Sequence, residues 1–158
     1  IKHLAKTLTP RLIEIRRHLQ SHPELSGQEH QTAAYVAGVL SSSGLQVQQA
    51  IGKLGVLGEI QGQGGDPRCL AIRTDMDALP IQERTDLEFA SKLPGVMHAC
   101  GHDVHTTVGL GAAMVLAEIA DQLPGAVRFL FQPAEEVAEG ARWMIADGAM
   151  DRVSAILS

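Results

Sequence analysis

The sequence predicts an α/β fold: a mixed, partly parallel sheet flanked by helices. The first observation is the order of its periodic segments, which runs helix, helix, three strands, long loop, helix, strand, helix and a last strand-like stretch. The second is the alternation of strand and helix late in the chain, the pattern that produces parallel pairing. The third is bulk composition. With 158 residues, 45% hydrophobic and 20% charged, the chain suits one globular domain with a real core.

Each element has a local reason. Leu4, Leu8, Leu12, Ile13 and Ile15 recur at near-helical spacing across Lys2 to Gln20, and Pro23 ends that helix by forcing its predecessor out of helical geometry. A second helix is expected from about Gln28 to Leu40, through Ala33, Val36, Ala37 and Val39, closing at Ser41-Ser42-Ser43-Gly44. Strands are expected at 45–50, 55–61 and 68–73, punctuated by Gly and Asp. The Gly62-Gln63-Gly64-Gly65-Asp66-Pro67 segment leads from strand to strand, so it reads as a turn and not as a dinucleotide loop.

Residues 75–99 form a long charged loop with Pro80 and Pro94, a length usually reserved for functional loops. A buried, Ala-rich helix is expected to begin near Asp103, with Asp103 as its N-cap, and to stop before Pro124-Gly125. Ala126 to Phe131 reads as a short strand. Pro133 to Ala146 reads as a helix with Pro at its first position and Gly148 at its end. The chain begins at Ile1 and stops within a strand-like segment at Ser158, so it is expected to be part of a longer protein.

The bulk properties exclude several classes. A net charge of −5 without a basic stripe argues against nucleic acid as a partner. The longest apolar run, Val108 to Ala117, falls short of the roughly 20 residues of a membrane span. No basic-then-apolar leader opens the chain, so a cytoplasmic location is the expectation. Cys69 lies in an apolar run and reads as a small buried hydrophobe, while Cys100 lies among histidines.

The chemistry concentrates at Met97-His98-Ala99-Cys100-Gly101-His102-Asp103-Val104-His105. Three His, a Cys and an Asp within nine residues read as a catalytic metal site. Cys100 and His102 sit two apart with Gly101 between them, which suits two ligands of one ion; His98 and His105 cannot both join them without contortion, so at least one is expected to act on substrate or as a supporting contact. Asp103 has a second explanation as a helix cap.

Gln132-Pro133-Ala134-Glu135-Glu136 follows a strand, where sites gather in open α/β sheets. Adjacent carboxylates point in different directions, so one can bind metal while its neighbour activates water; the plain alternative is an acidic helix start. Asp75 and Asp77, at the end of the third strand, either bind a cation, orient a ligand histidine, or make a turn paired with Arg73. A thiol hydrolase using Cys100 as nucleophile would leave the paired glutamates without a role.

In order, Arg73-Thr74-Asp75-Met76-Asp77-Ala78-Leu79-Pro80, the 97–106 cluster and Phe131-Gln132-Pro133-Ala134-Glu135-Glu136 resemble the metal-dependent amidohydrolases that include hippurate hydrolase, N-acyl-amino-acid amidohydrolases and auxin-conjugate hydrolases. His22-Pro23-Glu24-Leu25-Ser26 and Gly140 to Gly148 fit as well, so the resemblance spans nearly the whole chain. It implies a zinc-exopeptidase-like catalytic domain, of which residues 1–158 are the N-terminal portion.

It also implies a site of two divalent ions, Zn or Mn with Co or Ni as options, in which Cys100, His102 and Glu136 are ligands and Glu135 is the general base. Asp75, Asp77, His98, Asp103 and His105 are then supporting or substrate residues. Related exopeptidases open their site with His-x-Asp; Arg73 stands in place of that His, so no ligand is assigned there. Two further family histidines, the first expected just after Ser158, and the lid and dimerisation domain lie outside this chain. The implied reaction is hydrolysis of an N-acylated amino acid, a small-molecule substrate, by an enzyme that self-associates through the missing domain. The rival expectation is an incomplete metal-binding or ligand-binding module.

Overall fold

Helix α1 (Lys2–Ser21) and helix α2 (His30–Ser42) lead into strands β1 (Gln46–Ile51), β2 (Gly55–Ile60) and β3 (Cys69–Asp75). Helix α3 (His102–Ala117), strand β4 (Ala126–Gln132), helix α4 (Gly140–Ala146) and strand β5 (Val153–Leu157) complete the chain. The computed structural model describes residues 1–158.

The five strands form one sheet in the order β1-β2-β4-β3-β5. β1 and β2 pair antiparallel, as do β2 and β4, whereas β3 is parallel to both β4 and β5. The mixed, partly parallel sheet predicted from the element order is therefore the one observed. Insertion of β4 between β2 and β3 sets Asp75 directly opposite Gln132. The loops that leave β3 and β4 consequently emerge side by side.

Alternation along the strands makes two cores. Val56, Ile60, Val127, Phe129 and Phe131 face α1, α2 and α3, burying Ile15, Leu19, Val36, Leu40 and Leu110. On the opposite face, Leu57, Ala71 and Leu130 pack against Met144 and Ala149 beside α4. Arg128, also buried, is neutralised by Glu59 at 2.7 Å and donates to the carbonyls of Ala149 and Asp151. No helix is long and apolar enough to cross a membrane.

Three local expectations are corrected. Helix α2 starts at His30, not Gln28, because the Glu24 carboxylate accepts the N–H groups of Gln31 and Thr32 and fixes the first turn there. Asp103 is not the N-cap of α3. That position belongs to Gly101, whose φ of 86° is left-handed and natural only for glycine, and Asp103 falls in the first turn. The last predicted helix begins seven residues late. Residues 133–139 form an irregular turn with Ala134 at φ 50° and Ala138 at φ 57°, so Pro133 does not open a helix.

Candidate metal centre

The centre sits beyond the carboxyl ends of β3 and β4, where open α/β sheets place their sites. Three segments meet there: Asp75 to Asp77 leaving β3, Cys100 to His105 entering α3, and Glu135 to Glu136 in the turn after β4. The left-handed Gly101 is the bend that matters, since Cys100 lies in the incoming turn and His102 already belongs to the helix. Cys100 Sγ, one His102 ring nitrogen and one Glu136 oxygen all lie within 4.8 Å of one another, close enough to hold a single ion.

His102 is oriented by Asp77. Its Nδ1 lies 2.9 Å from the Asp77 carbonyl oxygen and 3.3 Å from Asp77 Oδ1. A carbonyl only accepts, so Nδ1 carries a proton and donates, which leaves Nε2 as the ring nitrogen that would serve as a ligand once it gives up its own proton. Nε2 faces Asp75 Oδ1 at 3.5 Å, Glu135 Oε2 at 3.7 Å and Glu136 Oε1 at 3.8 Å. The two neighbouring glutamates therefore converge on one atom. Only Glu136 joins Cys100 and His102 in the three-donor group, which leaves Glu135 beside it with a separate carboxylate.

Electrostatics describe a pocket with surplus negative charge. Burial works to lower the His102 pKa, but its hydrogen bond to Asp77 and the charge of Asp75 carry it up to about 9. Burial works to raise that of Asp77, yet hydrogen bonds from His102, Ser26 and the backbone of Glu136 and Glu135 hold it at about 2. The neighbouring Glu136 carboxylate, then burial and the charges of Glu135 and Asp75, push the Cys100 thiol up. Glu136 Oε1 is buried without a hydrogen-bond partner. A divalent cation fits this donor set, since it would neutralise the carboxylates, favour the thiolate and satisfy the orphaned oxygen.

The supporting residues divide into two groups. Asp75 accepts from Arg73 Nη1 at 2.8 Å and from His105 Nδ1 at 2.8 Å, and Arg73 Nε also donates to Gln132 Oε1 at 2.9 Å. Arg73 thus serves the site as an ion-pair partner of Asp75. Asp77 accepts from Ser26 Oγ at 2.6 Å and from the Glu136 N–H at 3.0 Å. His98 and Asp103 stand outside the three-donor group. His98 is 5% exposed with neither ring nitrogen hydrogen-bonded, and burial pushes its pKa down; Asp103 Oδ2 is paired with Arg16 Nε at 2.8 Å.

Two contributors carry no role that the sequence assigns. Ser26, at the end of the His22 to Ser26 motif, and Glu29, which opens α2, lie far along the chain from the loops they support, and nothing local gives either a part in the site. Glu29 is fully buried and accepts the Ala134 N–H at 2.7 Å. Only its position in the fold exposes it.

Residues 71–158 match the model of peptidase family M20/M25/M40. The chain is 72% identical over 157 residues to the Synechocystis sp. protein named "Probable hydrolase sll0100", covering 99% of this chain and 40% of that one. It is 48% identical over 151 residues to the N-acetyl-L-cysteine deacetylase of Bacillus subtilis, covering 96% of this chain and 36% of the relative. Among solved structures, the B. subtilis YXEP protein, described as a dinuclear metal binding peptidase from the M20 family, superposes with a TM-score of 0.91 at 49% identity over 96% of this chain and 42% of that one. Human carnosine dipeptidase 1, 15% identical with a TM-score of 0.70 over 96% of this chain and 38% of that one, shares the fold. The chain spans about 40% of the length of the curated relatives it matches. By the extent of the matched model and the agreement of the fold, it belongs to peptidase family M20/M25/M40.

Proposed function

We propose that the protein containing this chain is a metal-dependent amidohydrolase that cleaves N-acylated amino acids to a carboxylate and the free amino acid. The observation that carries this reading is the convergence of Cys100, His102 and Glu136 within 4.8 Å, with Glu135 Oε2 beside the same His102 nitrogen. The names of two relatives, N-acetyl-L-cysteine deacetylase and N-acyl-L-amino acid amidohydrolase, support the substrate class. Residues 1–158 form the N-terminal portion of the catalytic domain in this reading.

Cys100, His102 and Glu136 would hold one ion and contribute to a two-metal site, as the dinuclear description of the YXEP protein suggests. A mixed thiolate, imidazole and carboxylate set suits Zn or Mn, with Co and Ni also compatible. When bound, the metal supplies Lewis-acid polarisation of the scissile carbonyl and a water of lowered pKa. Glu135 takes the water's proton and returns it to the departing amine. Asp77 fixes the His102 ring with Nε2 turned toward Glu135 and Glu136, where it would serve as a ligand, and Asp75 with Arg73 and His105 shapes the adjoining wall. We place the enzyme in the cytoplasm, acting on a small molecule and self-associating through its remaining domain, with neither nucleic acid nor membrane as a partner.

Three donors are fewer than two ions require, and this favours a second reading for the 158 residues taken alone: a metal-binding unit that does not turn over. Amide hydrolysis of N-acetyl-L-cysteine, assayed on the full-length protein and on residues 1–158 after reloading with Zn, Mn, Co or Ni, separates the two. Release of free amino acid by the full-length enzyme alone is the expected result. Absence of amide hydrolysis across a panel of N-acylated amino acids with every metal would overturn the proposal.

A further inference from the structure

Glu29 is a fully buried carboxylic acid that takes no part in the chemistry described above. Its Oε1 accepts the Ala134 N–H at 2.7 Å, across a separation of 105 residues, while Oε2 has no hydrogen-bond partner. Burying a carboxyl with one oxygen unpartnered is costly, and burial pushes its pKa up against the backbone hydrogen bonds that work to lower it. Such a group would be a liability in a plain core position, which an apolar side chain would fill better.

Ala134 is an unusual partner. It is fully buried and left-handed at φ 50°, a strained conformation for a non-glycine residue that persists only when its surroundings hold it. Its carbonyl accepts the N–H groups of Glu139 and Gly140, both at 3.2 Å, closing the turn. Gly140 lies so close to the Pro133 carbonyl oxygen that a Cβ would not fit. Within this closed turn, Glu135 and Glu136 follow Ala134 directly, and Asp77 takes the Glu136 N–H. Two buried acids therefore grip the same short turn, one at Ala134 and one at Glu136.

We infer that Glu29 is a positioning residue: by accepting the Ala134 N–H it holds the left-handed turn that aims Glu135 and Glu136 together at His102. Its effect on turnover rests on the amidohydrolase reading, whereas its effect on Glu136 as a ligand does not. An oxygen acceptor at this reach is what the role demands, so glutamine can serve in its place and a shorter or apolar side chain cannot.

The test uses the full-length protein with three variants: Glu29→Gln, Glu29→Asp and Glu29→Leu. Glu29→Asp keeps the carboxyl but falls one methylene short of Ala134, and decides the matter if Glu29→Leu does not fold. Two readouts apply: Co(II) affinity with the thiolate-to-cobalt charge-transfer band, and kcat against KM for N-acetyl-L-cysteine. Glu29→Asp is expected to lower kcat about 100-fold with KM little changed, the scale of a misplaced catalytic group, and to weaken Co(II) binding about 10-fold with an altered band. Glu29→Gln should recover most of both losses. Retention of wild-type kcat and Co(II) affinity by Glu29→Asp would overturn the inference, as would a loss in Glu29→Gln equal to that in Glu29→Asp. If the wild type hydrolyses no amide, the cobalt readout still decides the role of Glu29 while the proposed activity alone falls.

Discussion

Asp77 Oδ2 accepts the backbone N–H of Glu136 at 3.0 Å while the Asp77 carbonyl oxygen receives Nδ1–H of His102 at 2.9 Å. A single residue after β3 thus sets both the aim of the helix-borne imidazole and the position of the turn-borne carboxylate. In the absence of this link the two donors would be free to drift apart.

Replacement of Asp77 by Ala should therefore weaken metal binding about 10- to 100-fold, the usual effect of removing a partner that orients a ligand. Titration calorimetry of the metal-free full-length protein with Zn or Co measures it. An affinity within about threefold of wild type would show that His102 and Glu136 are held by other means.

The Glu135→Gln variant should retain the metal content of the wild type and lose about 10²- to 10⁴-fold in kcat, the range of general acid–base catalysis. Elemental analysis beside steady-state kinetics provides both numbers. Near-normal turnover would remove Glu135 from the role of base.

Removal of metal should destabilise the protein as well as silence it, because Glu136 Oε1 is buried without a protein partner and four acids crowd His102. Free ion at 100 times its Kd adds about 2.7 kcal/mol to stability. Thermal unfolding before and after chelation, then after readdition of Zn, Mn or Co, should show a fall and a recovery. A melting temperature indifferent to chelator would count against a structural load on these acids.

Stability should also respond to pH through Glu29. Burial raises its folded pKa above the unfolded value of about 4.5, with the neighbouring Asp77 charge acting in the same direction. For such a group the favourable contribution is complete below pH 4.5 and is lost as pH rises through the folded pKa. The stability of Glu29→Gln relative to wild type should hence be flat below pH 4.5 and increase above it. Urea unfolding from pH 4 to 8 reads this difference, and a flat difference throughout would mean that Glu29 titrates normally.

Two ion pairs of α1 should behave differently. Arg16 faces Asp103, whose side chain is 1% exposed, whereas Arg11 and Glu14 are 51% and 67% exposed. Arg16→Met leaves a buried, unpaired carboxylate and should cost about 2–3 kcal/mol, somewhat below a fully buried pair because Arg16 is itself a third exposed. Arg11→Met should cost roughly 0–1 kcal/mol. Denaturant midpoints of the two variants test the ranking; equal midpoints would contradict it.

Much of the architecture was legible because periodicity is a local property. The spacing of Leu and Ile in α1, the β-branched runs of the strands and the break at Pro124-Gly125 each report a neighbourhood of a few residues. The mixed sheet and nearly all element positions follow from them. The error at Pro133 is informative for the same reason: proline followed by two acids is a sound helix start in isolation, and it fails here because Glu29 and Asp77 capture backbone N–H groups of the turn from elsewhere. Asp103 misled in the same way, with a capping residue type diverted by Arg16 from 87 positions away.

The sequence by itself determined the inventory: which segments become helix or strand, and that Cys100, His102, Glu135 and Glu136 carry metal-compatible donors. Only the tertiary structure decided which of them meet. Placing β4 beside β3 brings Asp75, Asp77 and the 133–139 turn to one sheet edge, and α3 delivers His102 there. Contacts such as Glu29 to Ala134 span 105 residues and leave no periodic trace in the chain, since the physics that makes them is a shared buried space and not a local pattern.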